Sequence, residues 1–425
     1  MSTNLKNPIP TPAAWRVPGR GTVNLMRHLE PASSGPRNAI PFNRIAVVGN
    51  EMEYMADAVR NGHCSGDGPF TRKCQDLLRR ELNSGPVLLT TSCTHALEMA
   101  AMLLDLQPGD EVIVPTYTFV SSINAFVLRG AKPVFIDVRP DTLNLDETLL
   151  EGLITPRTRA IVVVHYAGVA CEMDTILALA NRHGIAVIED NAHGLFGTYK
   201  GRPLGTMGAF ATLSFHETKN YACGEGGALI VNDPKYVDRA EILREKGTNR
   251  SRFFRGEVDK YTWVDIGSSY VLSDLNAGYL YGQLEKFREI RQNRERIWEN
   301  YRYHLQDWAV RNGVAMPQIP SHCGQAFHLF YLLLPSLAKR QEFIAHMKAA
   351  GIKSVFHYVP LHSSPMGKQW GEDRSCPVAD ERSDRLVRLP FYNCLSEADQ
   401  ARVILATQQF AVSSRLRHTR SSAVA

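Results

Sequence analysis

Between residues 87 and 232 the chain alternates short apolar, β-branched runs with longer segments of helical periodicity. Runs that are apolar along their whole length are typical of strands covered on both faces, and helical connections make neighbouring strands parallel. Strands are predicted over 87–89, 112–114, 134–136, 160–164, 186–188, 210–215 and 228–231. Helices are predicted over 95–106 and 175–183. The pattern therefore indicates an α/β fold with a mainly parallel, doubly wound sheet.

Beyond this sheet the pattern predicts a second, smaller domain. Residues 273–303 read as one long, charged, amphipathic helix leading out of the sheet. Later segments suggest an α+β arrangement, with strands over 329–334 and 354–356 and helices over 338–350 and 397–409. The expected organisation is a loosely ordered leader (1–38), a large domain (39–290), a small C-terminal domain (291–412) and a tail (413–425).

The net charge of +5 does not indicate a nucleic-acid partner, because the basic excess lies at the two ends of the chain. Residues 1–44 carry six basic side chains and one acidic side chain, and residues 411–425 add three arginines. The remaining segment, 45–410, has a net charge of −3. A basic binding groove is therefore not predicted.

The eight cysteines form no CxxC pair and show no regular spacing. This argues against a zinc site and against a disulfide framework, so no metal is expected. The proline-containing N-terminus lacks the uninterrupted apolar stretch of a signal peptide, and no later run approaches membrane-spanning length. A cytoplasmic protein without a membrane partner is the expectation.

Two polar residues stand just after predicted strands, where ligands of such sheets gather. They are Asp190 in IEDNAHG and Lys219 in SFHETKN. Taken singly, the lysine is typical of a solvated loop and the aspartate of a helix cap. Together they match two needs of pyridoxal phosphate, a lysine amine for its aldehyde and an anion for its pyridine nitrogen.

Residues near these two could also bind the phosphate of this cofactor and stack on its ring. Ser92, Cys93 and Thr94 open a predicted helix, where hydroxyl and backbone N–H groups favour a phosphate. Phe119, which follows the next strand, offers a flat partner for a ring. A capped helix without a ligand and a core phenylalanine are the alternatives for these residues alone. The turn at 224–227 lacks the GxGxxG spacing, so a dinucleotide site is not predicted.

Several long stretches of the chain resemble the sugar-nucleotide aminotransferases of the fold-type I superfamily, over about residues 40–410. They include PGDEVIVPTYTFVSS, VVHYAGVACEMD, SFHETKN, GEGGAL, REKGTNRSRFFRGEVDKYTWVDIGSSY and FHYVPLH. The resemblance implies pyridoxal phosphate as cofactor, a mostly parallel seven-stranded sheet in the large domain, and a homodimer with shared active sites.

The resemblance also assigns roles to individual residues. Lys219 would bond covalently to the cofactor, Asp190 would pair with its pyridine nitrogen, and His193 would lie against the ring near its phenolic oxygen. Phe119 would stack on the ring. The phosphate contacts it implies are Thr94, the backbone of His95, Ser214 and, where relatives place an asparagine that reaches the partner subunit's phosphate, Ser269.

The activity implied is transfer of an amino group from L-glutamate to C4 of a nucleotide-linked 4-keto-6-deoxy sugar, with dTDP-4-keto-6-deoxyglucose as the expected acceptor. The products would be a dTDP-4-amino-4,6-dideoxy sugar, a precursor of lipopolysaccharide or another cell-surface polysaccharide, and 2-oxoglutarate. Relatives that eliminate a hydroxyl carry histidine in place of the lysine, so Lys219 favours transamination.

Two further groups are candidates for binding the nucleotide sugar. Arginines can bind its diphosphate in a bidentate manner, and the loop GTNRSRFFRG supplies Arg250, Arg252 and Arg255. A solvated loop is an equally good interpretation of that charge cluster. His357 and His362 in FHYVPLH are candidates to close over the sugar.

Three other functions remain open at this stage. An aminotransferase acting at C3 or on a differently linked nucleotide would have the same fold. A cofactor-binding regulator without turnover is a second alternative, against which the joint presence of Lys219, Asp190 and Ser214 argues. A nicotinamide-dependent oxidoreductase would need a dinucleotide fingerprint that the sequence lacks.

Overall fold

A computed structural model of the chain describes residues 39–370 and 375–412. The predicted leader (1–38) and tail (413–425) lie outside the described residues. The first half contains α1 (Glu51–Arg60), α2 (Pro69–Leu82), β1 (Val87–Thr90), α3 (Cys93–Leu103), β2 (Glu111–Pro115), α4 (Ser121–Val127), β3 (Lys132–Ile136), β4 (Thr158–Val164), α5 (Met173–His183), β5 (Ala186–Asp190), β6 (Thr198–Tyr199), β7 (Arg202–Pro203), β8 (Phe210–Ser214) and β9 (Gly227–Val231). The second contains α6 (Val237–Arg244), α7 (Arg250–Phe254), α8 (Asp274–Glu285), α9 (Phe287–Asn312), β10 (Cys323–Gly324), β11 (Tyr331–Leu333), α10 (Leu337–Ala349), α11 (Pro377–Arg385), β12 (Leu386–Arg388) and α12 (Glu397–Gln409).

The main sheet has seven strands in the order β1-β9-β8-β5-β4-β2-β3. Only β9 runs against the others, since β2, β3, β4, β5 and β8 pair in parallel and β1 and β8 both pair antiparallel to β9. The predicted mostly parallel sheet and all seven of its predicted strands are confirmed. Because β1, β2, β5 and β8 share one direction, their carboxyl ends lie at the same edge of the sheet.

The single helix predicted over 273–303 is wrong, because the structure contains two helices there. The helical backbone is interrupted at Lys286, whose φ and ψ are −100° and 14°. Leu280 and Leu284 of α8 pack in a cluster with β1, β8 and β9, whereas Trp298 and Tyr301 of α9 pack in a different cluster with residues from 327 onward. One straight helix would not point its apolar side chains into both clusters.

The C-terminal part of the chain forms a second layer around a two-stranded antiparallel sheet of β11 and β12. Helices α9, α10 and α12 supply the apolar side chains that cover it, among them Trp298 and Phe343, both fully buried. The two predicted helices in this region are confirmed as α10 and α12. The strand predicted over 354–356 is reduced to one isolated bridge between Val355 and Arg388. The domain boundary near residue 290 stays a prediction.

Across the described ranges, no helix combines the length and apolar character needed to cross a membrane.

A buried carboxylate fixes the backbone beneath the carboxyl end of β5. Glu189 is fully buried, and its oxygens accept hydrogen bonds of 2.7 Å from the backbone N–H groups of Gly205, Met207 and Gly208. His165 Nε2 lies 3.0 Å from the same carboxylate. Burial alone would raise the pKa of Glu189, but the His165 hydrogen bond and the backbone donors together lower it. The loop before β8 is thereby tied to the strand that ends at Asp190.

We expect the substitution Glu189→Ala to destabilise the protein by about 3–5 kcal/mol, because it leaves buried donors without an acceptor. Urea unfolding of the variant and the wild type measures this difference. The exposed ion-paired Glu299 on α9 provides the control Glu299→Ala, which should change stability by no more than about 0.5 kcal/mol. Equal losses in the two variants would contradict the role assigned to Glu189.

Candidate active site

A cavity of about 650 Å³ opens at the carboxyl edge of the main sheet. Its volume lies in the range that is usual for small-molecule sites. Residues from the ends of β1, β5 and β8, from the segment after β2, and from the C-terminal layer all line it. Those that the sequence had singled out are Ser92, Cys93, Thr94, Phe119, Asp190, His193, Ser214, Lys219 and His357.

A chain of hydroxyl groups holds the Asp190 carboxylate at the floor of the cavity. Ser122 donates a 2.7 Å hydrogen bond to Asp190 Oδ2, and Thr118 Oγ1 lies 2.8 Å from Ser122 Oγ. The backbone N–H of Ala192 donates to Asp190 Oδ1 at 3.2 Å. Ser122 and Thr118 are buried, so water does not replace these contacts readily. The carboxylate therefore has a fixed orientation before any ligand binds.

Lys219 lies in the loop between β8 and β9, and its neighbour Asn220 anchors that loop. Asn220 Nδ2 donates to Ala326 O at 2.7 Å, and Asn393 Nδ2 donates to Asn220 O at 3.0 Å. Burial lowers the pKa of the Lys219 amine, against the opposing effects of Cys93 and Asp190. A lowered pKa raises the fraction of neutral amine, which is the form that attacks a carbonyl carbon.

His193 forms part of a column of rings on the wall of the cavity. Its ring stacks on His328 with centroids 4.1 Å apart, and its Nε2 lies 3.3 Å from the Tyr358 hydroxyl. Burial, with the nearby charges of Lys219 and Arg388, holds the pKa of His193 well below its usual range. Its Nδ1 atom is buried and finds no hydrogen-bond partner among the described residues. Because His193 lines the cavity, its unpartnered Nδ1 is available to an atom of a bound ligand.

The N-terminus of α3 closes another side of the cavity. Ser92 caps it by accepting a 3.1 Å hydrogen bond from the His95 backbone N–H, and Thr94 Oγ1 lies 2.8 Å from Ser121 Oγ. Gly227 lies against this terminus, since a Cβ there would stand 2.3 Å from the backbone nitrogen of Cys93. The glycine lets β9 approach, and a helix N-terminus favours an anion. The His95 N–H predicted to contact the phosphate is bonded to Ser92 here.

Of the two histidines predicted to close over the sugar, only one lines this cavity. His357 lines the cavity, and its Nδ1 lies 2.7 Å from the Tyr166 hydroxyl. His362 does not line it, because its Nδ1 lies 2.7 Å from Thr116 Oγ1 and its Nε2 3.4 Å from Asp380 Oδ2. Phe119 is 55% exposed at the cavity wall, where its ring face is open to a ligand.

A second cavity, of about 660 Å³, contains three other predicted residues. Arg250, Arg255 and Ser269 line it, and it shares no lining residue with the cavity at Lys219. Arg252 lines neither cavity and pairs with Asp238. The structure therefore does not bring the arginine loop to the Lys219 of its own chain.

The sequence analysis missed several residues of the site. Ser122 and Thr118 stand in the quoted stretch VPTYTFVSS, four residues apart at the start of a helix, a spacing that could have indicated their contact. Tyr358 is likewise inside FHYVPLH. Arg388, which lines the cavity from β12, has no local sequence signal.

Pyridoxal phosphate fits the residues of the Lys219 cavity. The unpartnered His193 Nδ1, the fixed Asp190 carboxylate, the Lys219 amine and the N-terminus of α3 match its phenolic oxygen, pyridine nitrogen, aldehyde and phosphate. When bound, this cofactor supplies an aldehyde for amines and a pyridinium ring that withdraws electrons from the carbon attached to nitrogen.

This sheet topology, with an aspartate ending β5 and a lysine following β8, defines a fold-type I, pyridoxal-phosphate-dependent aminotransferase. The chain belongs to the DegT/DnrJ/EryC1/StrS aminotransferase family, which matches residues 46–408. The predicted fold class, cofactor and enzyme class are thereby confirmed, and a sugar is the class of substrate that the family indicates.

Individual relatives agree with this assignment. The chain is 34% identical over 384 residues to an uncharacterized protein of Methanocaldococcus jannaschii, a match that covers 88% of this chain and 98% of that protein. The aminotransferase TlmJ from Streptoalloteichus hindustanus has a similar structure, with a TM-score of 0.79, 27% identity and coverage of 87% and 97%. Spr1654 from Streptococcus pneumoniae in its PMP form gives a TM-score of 0.81, 26% identity and coverage of 87% and 98%.

We expect Ser122→Ala to weaken binding of pyridoxal phosphate by about 10-fold or more, because Asp190 loses a hydrogen bond to a charged group. Titration of the apo-enzyme with the cofactor, followed by absorbance, measures the dissociation constant. Ser84→Ala is the control, since the Ser84 hydroxyl contacts only the Gly85 carbonyl. An unchanged dissociation constant in Ser122→Ala would contradict the role of the hydroxyl chain.

Proposed function

We propose that the enzyme transfers the amino group of L-glutamate to C4 of dTDP-4-keto-6-deoxyglucose. The products would be 2-oxoglutarate and a dTDP-4-amino-4,6-dideoxy sugar, as a dTDP-4-amino-4,6-dideoxygalactose transaminase makes. The observation that carries the proposal is the convergence of the Lys219 amine and the Asp190 carboxylate on one cavity in a chain of this family. The sugar, the donor, a cytoplasmic location and a role in cell-surface polysaccharide synthesis rest on the sequence resemblance.

The chain's own groups account for the proton movements of such a reaction. Lys219 Nζ removes the proton from the donor Cα, and its lowered pKa favours the unprotonated amine that this step needs. Asp190, held by Ser122 and Ala192, stabilises positive charge at the pyridine nitrogen without having to reorient. His193 would hold the phenolic oxygen of the cofactor, and Thr94, Ser214 and the α3 N-terminus would hold its phosphate.

We further propose a homodimer in which the second cavity of one protomer serves the Lys219 site of its partner. Arg250, Arg255 and Ser269 lie together, away from Lys219 of their own chain, and the resemblance implies that position 269 reaches the partner's phosphate. Arg250 already pairs with Glu245 at 3.3 Å and Arg255 with Glu241 at 2.8 Å. A diphosphate would therefore compete with these carboxylates for guanidinium groups that are at least two-fifths exposed.

The substrate proposal is tested by the absorption spectrum of the purified holoenzyme. We expect L-glutamate to remove the visible band of the lysine-bound cofactor and dTDP-4-keto-6-deoxyglucose to restore it, because the two half-reactions are complementary. Lys219→Ala should show neither change. Product analysis by nuclear magnetic resonance separates amination at C4 from amination at C3. A response to glutamate without a response to the sugar would contradict the proposed acceptor.

Shared active sites are tested by mixing two inactive variants under conditions that exchange subunits. Lys219→Ala lacks the amine and Arg250→Gln weakens the proposed diphosphate contact, so a mixed dimer has one complete site if Arg250 acts on its partner. An equal mixture should recover about a quarter of the wild-type activity at random assortment.

No recovery on mixing would contradict this arrangement. Size-exclusion chromatography and a tag on one variant confirm that mixed dimers have formed.

A further inference from the structure

A third cavity, of about 250 Å³, lies beside the loop that carries Lys219. This Arg294 cavity shares two lining residues, Asn43 and Lys219, with the Lys219 cavity. Its other walls include residues 44–46, α8, α9 and residues 392–393. Its volume is several times the ~30 Å³ that one water molecule occupies in the liquid, so it has room for a polyatomic ion. The reactive lysine therefore borders a second space.

Arg294 brings a positive charge into this cavity from α9, and the residue is only 2% exposed. Its Nε and Nη2 donate to the backbone oxygens of Phe327 and His328 at 2.8 and 2.6 Å. Its Nη1 donates to Asn393 Oδ1 at 2.7 Å. All three acceptors are neutral, and no carboxylate in the described part of the chain forms an ion pair with this guanidinium. Burial lowers the pKa of Arg294 to about 9, because a buried cation without a counter-anion is unfavourable.

Two further donors of the lining have no anionic partner either. The Tyr279 hydroxyl is buried and finds no hydrogen-bond partner among the described residues. Burial raises the pKa of Tyr279 to about 12, so this group keeps its proton and can donate it in a hydrogen bond. Arg44 is exposed and forms no ion pair within the described ranges. The carboxylate among the described lining residues, Glu217, is exposed as well. The cavity thus combines two guanidinium groups and a hydroxyl with one solvated carboxylate.

Side-chain amides hold the walls of the Arg294 cavity in place without a ligand. Asn276 Nδ2 donates to Cys223 O at 3.3 Å and to Glu225 O at 3.1 Å, which fastens the end of the lysine loop to α8. Gln283 Nε2 donates to Ala46 O at 3.0 Å, which fastens the segment before α1 to the same helix. An ion that enters therefore does not have to order the groups around it, and this lowers the cost of binding.

We propose that this cavity binds a small oxyanion of the size of inorganic phosphate, with Arg294 as buried counter-charge, Tyr279 as hydroxyl donor and Arg44 at the opening. A tetrahedral oxyanion offers acceptor oxygens in several directions, which suits donors from three different parts of the chain. Because Lys219 borders the same cavity, the ion adds a negative charge near Nζ, stabilises the protonated nitrogen and restrains the catalytic base. The effect on catalysis rests on the proposed function, whereas binding of the ion does not.

Calorimetric titration of the holoenzyme with inorganic phosphate at constant ionic strength tests the site. Arg294→Gln removes the buried charge and should weaken binding by about 10-fold or more, the usual effect of losing a charged hydrogen bond. Tyr279→Phe keeps the ring and removes a hydroxyl that has no partner in the described chain. It should therefore fold like the wild type and weaken binding by about 3- to 10-fold. Arg44→Gln should weaken binding less than Arg294→Gln, because water screens an exposed charge.

Arg296→Gln is the matched control, because Arg296 lies close to Arg294 on α9, pairs with Glu397 at 2.9 Å and does not line the cavity. It should bind phosphate like the wild type. Arg250→Gln probes the cavity that contains the arginine loop. Loss of phosphate binding in Arg250→Gln with unchanged binding in Tyr279→Phe would overturn the proposal and assign the ion to that loop. A wild-type enzyme that binds no phosphate would overturn it as well.

A pH titration of the visible band of the lysine-bound cofactor tests the effect on Lys219, because protonation of Nζ changes that band. Saturating phosphate should raise the apparent pKa by about 0.5–1 pH unit, as expected for one negative charge in a cavity beside the titrating group. Tyr279→Phe should need more phosphate for the same shift. An equal shift with potassium chloride at the same ionic strength would contradict a specific site. No sugar is present, so a wild-type enzyme that ignores dTDP-4-keto-6-deoxyglucose refutes the proposed acceptor without affecting this result.

Discussion

The meeting of four strand ends at one edge of the sheet is the constraint on which the site depends. Strands β1, β2, β5 and β8 share a direction, so the residues that follow them converge although they are far apart in sequence. The one reversed strand, β9, starts at this edge, and Gly227 lets it lie against the N-terminus of α3. Beneath them, Glu189 ties β5 to the loop before β8 through three backbone hydrogen bonds.

Removal from water lowers the pKa of two basic groups in the cavity. The imidazole of His193 is neutral and the amine of Lys219 has a lowered pKa, and burial is the main cause in both. Asp190 accepts hydrogen bonds from Ser122 and Ala192. Arg388 on β12 donates to the Phe356 carbonyl and forms no ion pair among the described residues. The cavity thus holds a carboxylate with a full set of protein contacts and a guanidinium with few.

Much of this arrangement was predictable because it follows from local pattern. Buried strands read as apolar runs, so the sheet was confirmed strand by strand. Asp190 and Lys219 were found because one ends a strand and the other lies in the loop that follows a strand. The break at Lys286 was missed because it arises from packing against two different clusters, which periodicity does not record. Arg388 was missed for a similar reason, since only the pairing of β11 with β12 brings it to the cavity. For Arg250 the sequence favoured a diphosphate contact no more than a solvated loop, and in its own chain this residue lies in a cavity apart from Lys219.

The amide of Asn220 links the reactive lysine to the C-terminal layer. Its side chain bonds to Ala326 and His328, and its backbone carbonyl accepts from Asn393, so the residue next to Lys219 is fastened to the layer that also carries Arg388. The position of the reactive amine is therefore set by two parts of the chain at once, the strand that precedes its loop and the C-terminal layer that holds Asn220. A substitution in that layer can misplace the lysine without touching the cavity.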